Sequence, residues 1–135
     1  MWLLTKIFIF RKQERSFLPP GVDAEVIDAV VDFLYRKAIE DKHVNRFFED
    51  VDLDRLRHKQ KVFLMMALSG PPDDSTKARM RDSHAHLLKW GLDDSHFDRI
   101  LEHVAEGLRA YQVDEAVIAA AARILEAFRD DILGR

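Results

Sequence analysis

Cysteine is absent from this chain of 135 residues, and glycine and proline are scarce. Without cysteine there is no disulfide scaffold, no thiolate zinc or iron–sulfur site and no cysteine nucleophile. The 5 glycines and 4 prolines are roughly half the average usage, which favours helices over a sheet with many turns. A basic excess is also missing, because 21 Lys and Arg face 24 Asp and Glu. The charge balance therefore argues against a nucleic acid partner.

Long apolar runs are missing as well. A membrane-spanning helix needs about 20 apolar residues, and the most apolar stretch, residues 1–10, is shorter and is interrupted by Lys6. Charged residues follow it instead of a small-residue cleavage site, so we do not expect a signal peptide. We expect residues 1–21 to form an N-terminal extension or pre-helix and residues 22–135 to form one domain of a cytoplasmic protein. A peripheral membrane contact by residues 1–12 is the alternative for the first segment.

What the chain does have is helical spacing of apolar residues from residue 22 onward. Aspartates stand just before the apolar stripes, where they favour helix N-caps: Asp23, then Asp52 or Asp54, then Asp93 or Asp94, and Asp114. A loop is predicted over residues 71–79, followed by a short helical turn that carries Met80, His84 and Leu87 or Leu88. The last helix is predicted to run through Ile132. These segments predict an all-α protein with four main helices and one short one.

Three polar residues interrupt the apolar stripes of three different helices: Tyr35, Gln60 and His84. Gln60 lies four positions after Leu56 and four before Leu64, so it projects from the buried face of its helix. A buried polar group without a partner costs about 1–3 kcal/mol. Each of these groups therefore bonds locally or faces a pocket that holds something polar, and periodicity leaves both alternatives open.

The other histidines do not form a metal-binding motif. His86 lies two positions from His84, so we expect it to point elsewhere on the helix. His96 and His103 are seven apart and are expected on a helix flank. The HExxH, P-loop, GxGxxG and GxSxG patterns are absent from the sequence.

An ordered set of segments resembles the truncated haemoglobins of the first group. The segments are VDFLYR at 31–36, RFF at 46–48, RLRHKQKVFL at 55–64, SGP at 69–71, MRDSH at 80–84 and GLDDSHFD at 91–98. Their order and spacing are specific together, and the resemblance extends from residue 22 to residue 132. It implies that residues 22–135 form a truncated globin domain, a two-over-two α-helical sandwich that encloses haem b (iron protoporphyrin IX).

The resemblance also implies roles for individual residues. His84 becomes the proximal ligand of the haem iron, and Tyr35 and Gln60 become the catalytic pair on the distal side. Other matched positions would contact the macrocycle: Phe48, Leu56, Phe63, Leu64, Met80, Leu92, Phe97 and Ile100. Lys59 is expected to pair with a haem propionate, with coordination of the iron by its neutral amine as the alternative.

The function implied by the resemblance is binding of O₂, NO and CO at ferrous iron, with conversion of NO and O₂ to nitrate. The 135 residues do not have room for a flavin domain, so this reaction requires an external reductase as partner. O₂ storage or ligand sensing without turnover is the first alternative. A helical interaction module without a cofactor is the second.

Overall fold

The structure, a computed structural model, describes residues 18–70 and 73–135. Within these ranges the backbone forms helices and no strands, which confirms the all-α prediction. The elements are α1 (Ala24–Glu40), a 3₁₀ helix (Asn45–Phe48), α2 (Leu53–Ser69), α3 (Asp74–Leu88), α4 (Asp94–Ala110), α5 (Glu115–Glu126) and α6 (Arg129–Ile132). None of these helices is long and apolar enough to cross a membrane. The predictions about residues 1–17, including the membrane contact, lie outside the described residues.

The aspartates predicted as N-caps begin four of these helices. Three of them accept backbone N–H groups through Oδ1: Asp23 from Val26 at 2.9 Å, Asp52 from Arg55 at 3.2 Å and Asp93 from Ser95 at 2.9 Å. Asp93 also belongs to a capping box, because its own N–H donates to His96 Nδ1 at 2.9 Å. Asp114 occupies the N-cap of α5 without a side-chain capping bond. Side-chain capping thus settles the two alternatives in favour of Asp52 and Asp93.

The predicted loop over residues 71–79 is wrong for residues 74–79, which form the first part of α3. Asp73 caps this helix by accepting the N–H of Thr76 at 2.7 Å. Within the described part of the chain, Thr76 is the only buried residue that α3 contributes. The apolar stripe of α3 is weak because its inner face borders a cavity instead of packed side chains.

The last predicted helix is also interrupted, because α5 ends at Glu126 and α6 begins at Arg129. Between them, the N–H of Phe128 donates to the carbonyl of Leu125, three residues earlier, at 3.0 Å. Such bonds tighten the chain relative to an α-helix. Phe128 is only 1% exposed, so the tight turn accompanies the insertion of its ring into the core.

Four helices form two layers. Helices α1 and α2 pack side by side, as do α4 and α5, while α1 contacts α4 and α2 contacts α5 across the layers. The buried core between them contains mostly aliphatic side chains, among them Val30, Val31, Leu34, Leu64, Val104, Leu108, Ile118 and Leu125. Helix α3 is tied to the C-terminal helix α6, so it stands beside the layers and borders the space between them.

Close approach of α1 and α4 depends on Gly107. A Cβ atom at this position would lie 3.1 Å from Phe33 Cδ1 and 3.2 Å from Val30 Cγ1, both on α1. These distances are shorter than ordinary van der Waals contact. Glycine therefore permits the short distance between α1 and α4 at which the two layers pack.

Candidate functional site

A cavity of about 430 Å³ is lined by side chains from all six α-helices. Every residue predicted for the site lines it: Tyr35, Phe48, Leu56, Lys59, Gln60, Phe63, Leu64, Met80, His84, Leu92, Phe97 and Ile100. The fold therefore brings together residues that the sequence places on separate helices. Their chemical roles stay predictions, since lining a cavity shows position alone.

His84 presents a neutral imidazole to the cavity. Its Nδ1 lies 2.8 Å from the carbonyl oxygen of Met80, one turn earlier on α3, and 3.0 Å from Ser83 Oγ. Because a carbonyl only accepts, Nδ1 carries the proton and donates it, which leaves the Nε2 lone pair free for a metal. Burial lowers the pKa of His84, the Met80 bond partly opposes this, and the charge of His86 adds to the lowering. Neutral imidazole is the form that binds iron.

Tyr35 and Gln60 meet inside the same cavity. The Tyr35 side chain on α1 is buried, and its hydroxyl donates to Gln60 Oε1 on α2 at 3.5 Å. This separation is at the long end for a hydrogen bond, so the hydroxyl remains available to a better acceptor. Burial raises the pKa of Tyr35 well above its usual range, against the opposing charge of Arg57. The phenol therefore stays protonated and keeps its donor at any physiological pH.

Aromatic and aliphatic side chains make up most of the remaining wall. The Phe48 ring meets the Tyr35 ring edge to face, with centroids 5.6 Å apart. Phe63 meets Phe128 in the same way at 5.2 Å. Such contacts hold the rings in fixed orientations. The wall therefore encloses a largely dry space into which a few polar groups project.

Charged and titratable side chains stand where the cavity meets solvent. Lys59 and His86 line the cavity and are nevertheless exposed. His86 lies two positions after His84 on α3, and that its ring points elsewhere on the helix stays a prediction. His86 also meets the exposed Trp90 edge to face at 5.9 Å.

His96 and His103, predicted to lie on a helix flank, are buried at 5% and 8% exposed. His96 lines the cavity and completes the capping box at the start of α4. His103 Nε2 lies 2.8 Å from Asp41 Oδ2, which joins α4 to the end of α1. The partner of His103, Asp41, is distant in the sequence, and the partner of His96, Asp93, is one of two candidate N-caps. Spacing alone therefore does not reveal that the two histidines are buried.

Several lining residues were not singled out by sequence reasoning: Val44, Phe47, Val51, Ser83, Leu87, Leu101, Val104, Leu125, Phe128 and Ile132. Most are apolar residues of ordinary stripes, which look the same whether they pack on protein or face a cavity. Ser83 is different, because its position next to His84 is a signal that the sequence does contain.

The residues present fit a haem group. A haem pocket needs a neutral imidazole with a free nitrogen, a dry apolar wall and polar groups at the solvent edge. His84 supplies the nitrogen, the aromatic wall encloses the space, and Lys59 lies at the solvent edge. A shallower groove of about 640 Å³ runs outside along α1, but its lining is largely charged and does not suit a macrocycle.

Comparisons with known proteins give the same result. The family model described as bacterial-like globin matches residues 21–134. A group 1 truncated haemoglobin of Tetrahymena pyriformis is 36% identical over 107 residues, covering 79% of this chain and 85% of the relative. A group 1 truncated haemoglobin of Synechocystis is 33% identical over 112 residues, covering 81% and 90%. The crystal structure of the 2/2 haemoglobin of Synechococcus sp. PCC 7002, in the cyanomet state with covalently attached haem, superposes with a TM-score of 0.74. It is 32% identical and covers 83% of this chain and 93% of that one.

These findings confirm the resemblance in the sequence and the two-over-two fold. Membership of the globins implies a haem cofactor and the binding of small gaseous ligands such as O₂. Because the family model matches residues 21–134 of the 135, the chain belongs to the bacterial-like globins and, within them, to the group 1 truncated haemoglobins.

Proposed function

We propose that the protein binds O₂, NO and CO at ferrous haem b and combines NO with O₂ to give nitrate. The observation that carries the proposal is the pairing of a buried, protonated Tyr35 with Gln60 in the cavity that His84 also lines. When bound, haem supplies an iron that holds a diatomic ligand and shifts electron density onto O₂. The rest of the chemistry belongs to the chain's own side chains.

His84 would hold the iron through Nε2, while the Met80 carbonyl keeps the ring in the required tautomer and orientation. Tyr35 and Gln60 would donate hydrogen bonds to a ligand that carries partial negative charge. Such charge-assisted bonds are worth about 1.5–3 kcal/mol each, or about one to two decades in affinity per donor. The aromatic wall excludes water, which slows loss of O₂ as superoxide.

Lys59 would pair with a haem propionate, because its exposed position at the cavity edge suits a partner that reaches solvent. The alternative is coordination of the iron when no external ligand is present. An external reductase would supply the one electron that restores the ferrous state after each nitrate is formed. We place the protein in the cytoplasm, where reductases draw on nicotinamide cofactors.

Rapid mixing of the oxygenated protein with NO tests the reaction. We expect fast decay of the oxygenated spectrum and one nitrate for each NO consumed, and a slower reaction with lower nitrate yield in Tyr35→Phe. Slow decay without nitrate in the unmodified protein would contradict the proposal. Combined with slow O₂ release, that result would instead favour O₂ storage, which the same pair of donors supports.

A further inference from the structure

Two ion pairs join α1 to α2 on the outer side of the helix pair. Lys61 pairs with Asp28, and Arg57 Nε lies 3.6 Å from Asp32 Oδ1. Lys61 and Arg57 are four positions apart on α2, and so are Asp28 and Asp32 on α1. Because residues four apart lie on one helix face, the two pairs form a short row between the helices.

Arg57 differs from Lys61 in that one nitrogen of its charged group has no hydrogen-bond partner among the described residues. Its Nε is buried and, among the described residues, has no hydrogen-bond partner, since Asp32 is beyond hydrogen-bonding distance. Its Nη1 reaches the exposed Asp54 at 3.4 Å. A buried N–H without a partner is unfavourable, so the hydrogen bonds of Arg57 do not by themselves explain where its guanidinium lies.

The Tyr35–Gln60 pair joins the same two helices next to the Asp32–Arg57 contact. Tyr35 follows Asp32 by three positions on α1, and Gln60 follows Arg57 by three positions on α2. The Asp32–Arg57 contact and the Tyr35–Gln60 contact therefore join neighbouring turns of the same two helices. The charge of Arg57 also acts on the phenol, because it opposes the rise that burial causes in the pKa of Tyr35.

We propose that Arg57 is a positioning residue of the ligand site, which fixes the approach of Tyr35 to Gln60 and strengthens Tyr35 as a hydrogen-bond donor to the bound ligand. A positive charge near a phenol withdraws electron density from its oxygen, which makes the O–H a better donor. The inference rests on the proposed function, because it acts through the side chain assigned there to hold the ligand. Arg57 itself does not touch the ligand.

The test uses the haem-loaded protein and compares Arg57→Gln, Arg57→Lys, Tyr35→Phe and the double variant of Arg57→Gln with Tyr35→Phe. Lys61→Gln is the matched control, because it removes one positive charge from the neighbouring ion pair of the same row. The measurements are the O₂ dissociation rate and the C–O stretching frequency of the CO complex, which reports the electric field at the ligand. Unfolding in urea measures stability in each variant.

We expect O₂ to dissociate about fivefold faster from Arg57→Gln, since a charge near a partly buried donor is weakly screened. The C–O stretch should move to higher frequency. Arg57→Lys keeps the positive charge, so both measurements should lie close to those of the parent protein. Lys61→Gln should lose stability to a similar extent but leave the O₂ dissociation rate unchanged. In the Tyr35→Phe background, Arg57→Gln should have no further effect on either ligand measurement.

The inference would be overturned if Arg57→Gln and Lys61→Gln had the same O₂ dissociation rate and C–O stretching frequency. Arg57 would then act only through an ion pair between the helices, as Lys61 does. The inference would also be overturned if Arg57→Gln accelerated O₂ dissociation by the same factor in the Tyr35→Phe background. If Tyr35→Phe itself leaves O₂ dissociation unchanged, the ligand-holding role in the proposed function fails too. The two failures are therefore distinguishable by the Tyr35→Phe result.

Discussion

Lys59 stands next to Gln60 on α2, with an exposed side chain that also lines the cavity. A lysine that coordinates metal must lose its proton, which requires removal from water. An exposed ammonium instead suits an ion pair with a carboxylate at the solvent edge. At the scale of this one residue, the geometry favours the propionate partner over the iron ligand.

Lys59→Ala is therefore expected to leave the ferric absorption spectrum unchanged. Haem should be lost about twofold faster, because exposed ion pairs contribute about 0.2–1 kcal/mol. Transfer of haem to an excess of apomyoglobin measures that rate, and Lys61→Ala, whose partner is Asp28, is the control. A change of iron spin state in Lys59→Ala would contradict the propionate role and favour coordination.

Polar residues in apolar stripes were the most informative feature of the sequence. Tyr35, Gln60 and His84 interrupt such stripes, and the structure brings all three to one cavity. Periodicity places each residue on a face of its own helix, but it does not reveal that the faces converge. The resemblance to a family supplies that step, and periodicity does not predict contacts of high sequence separation such as His103 with Asp41.

At the scale of helices, predictions succeeded where a cap and a packed stripe coincide, as at Asp23 and α1. They failed for α3, whose inner face lines the cavity and so lacks the stripe that packing imposes. They also failed at Phe128, where a tight turn between α5 and α6 is required by tertiary packing. A helix that faces a cavity is thus harder to predict than one that faces packed side chains.

The crossing of α1 and α4 gives a prediction at this scale. Gly107→Ala gains about 1 kcal/mol of helix propensity but places a methyl group against Phe33 and Val30. Overpacking of this kind costs about 1–3 kcal/mol, so the free energy of unfolding should fall by about 1 kcal/mol in urea titrations. Glu102→Ala, on the exposed side of α4, should change it by less than about 0.5 kcal/mol. A stabilised Gly107→Ala protein would show that the helices have room to separate.

At the scale of the whole molecule, two histidines with lowered pKa values make the free energy of unfolding depend on pH. Burial lowers the pKa of both His84 and His96. The Nδ1 of His96 must also stay unprotonated to accept the Asp93 N–H in the capping box. Both groups are therefore neutral when folded and take up protons when the chain unfolds.

The sign follows from these lowered pKa values. Their contribution to stability is complete above the unfolded pKa of about 6.5 and is lost as the pH falls toward the folded values. The free energy of unfolding, measured in urea, should therefore decrease between about pH 7 and pH 5. His96→Gln should be less stable at pH 7 and show a shallower decrease. If the free energy of unfolding of His96→Gln decreased as steeply as that of the parent, His96 would not contribute to the pH dependence.

A separate decrease in the free energy of unfolding is expected at lower pH, because carboxylates become protonated there. The Arg135 guanidinium beside Asp94 lowers the pKa of that carboxyl, and Arg109 does the same for Glu115. Groups with lowered pKa stabilise the fold above their unfolded pKa of about 4 and lose this effect below it. The two pH ranges are therefore separable in one titration series.

We expect His84 to hold the iron of a haem group through Nε2, and every proposed role of the cavity depends on this bond. The most direct measurement is the haem content and absorption spectrum of His84→Ala after gel filtration, compared with the parent protein and with His58→Ala, an exposed histidine of α2. We predict that His84→Ala loses the strong absorption band of bound haem, that added imidazole restores it, and that His58→Ala resembles the parent. A His84→Ala protein that retains haem as firmly as the parent, with the same spectrum, would contradict the account.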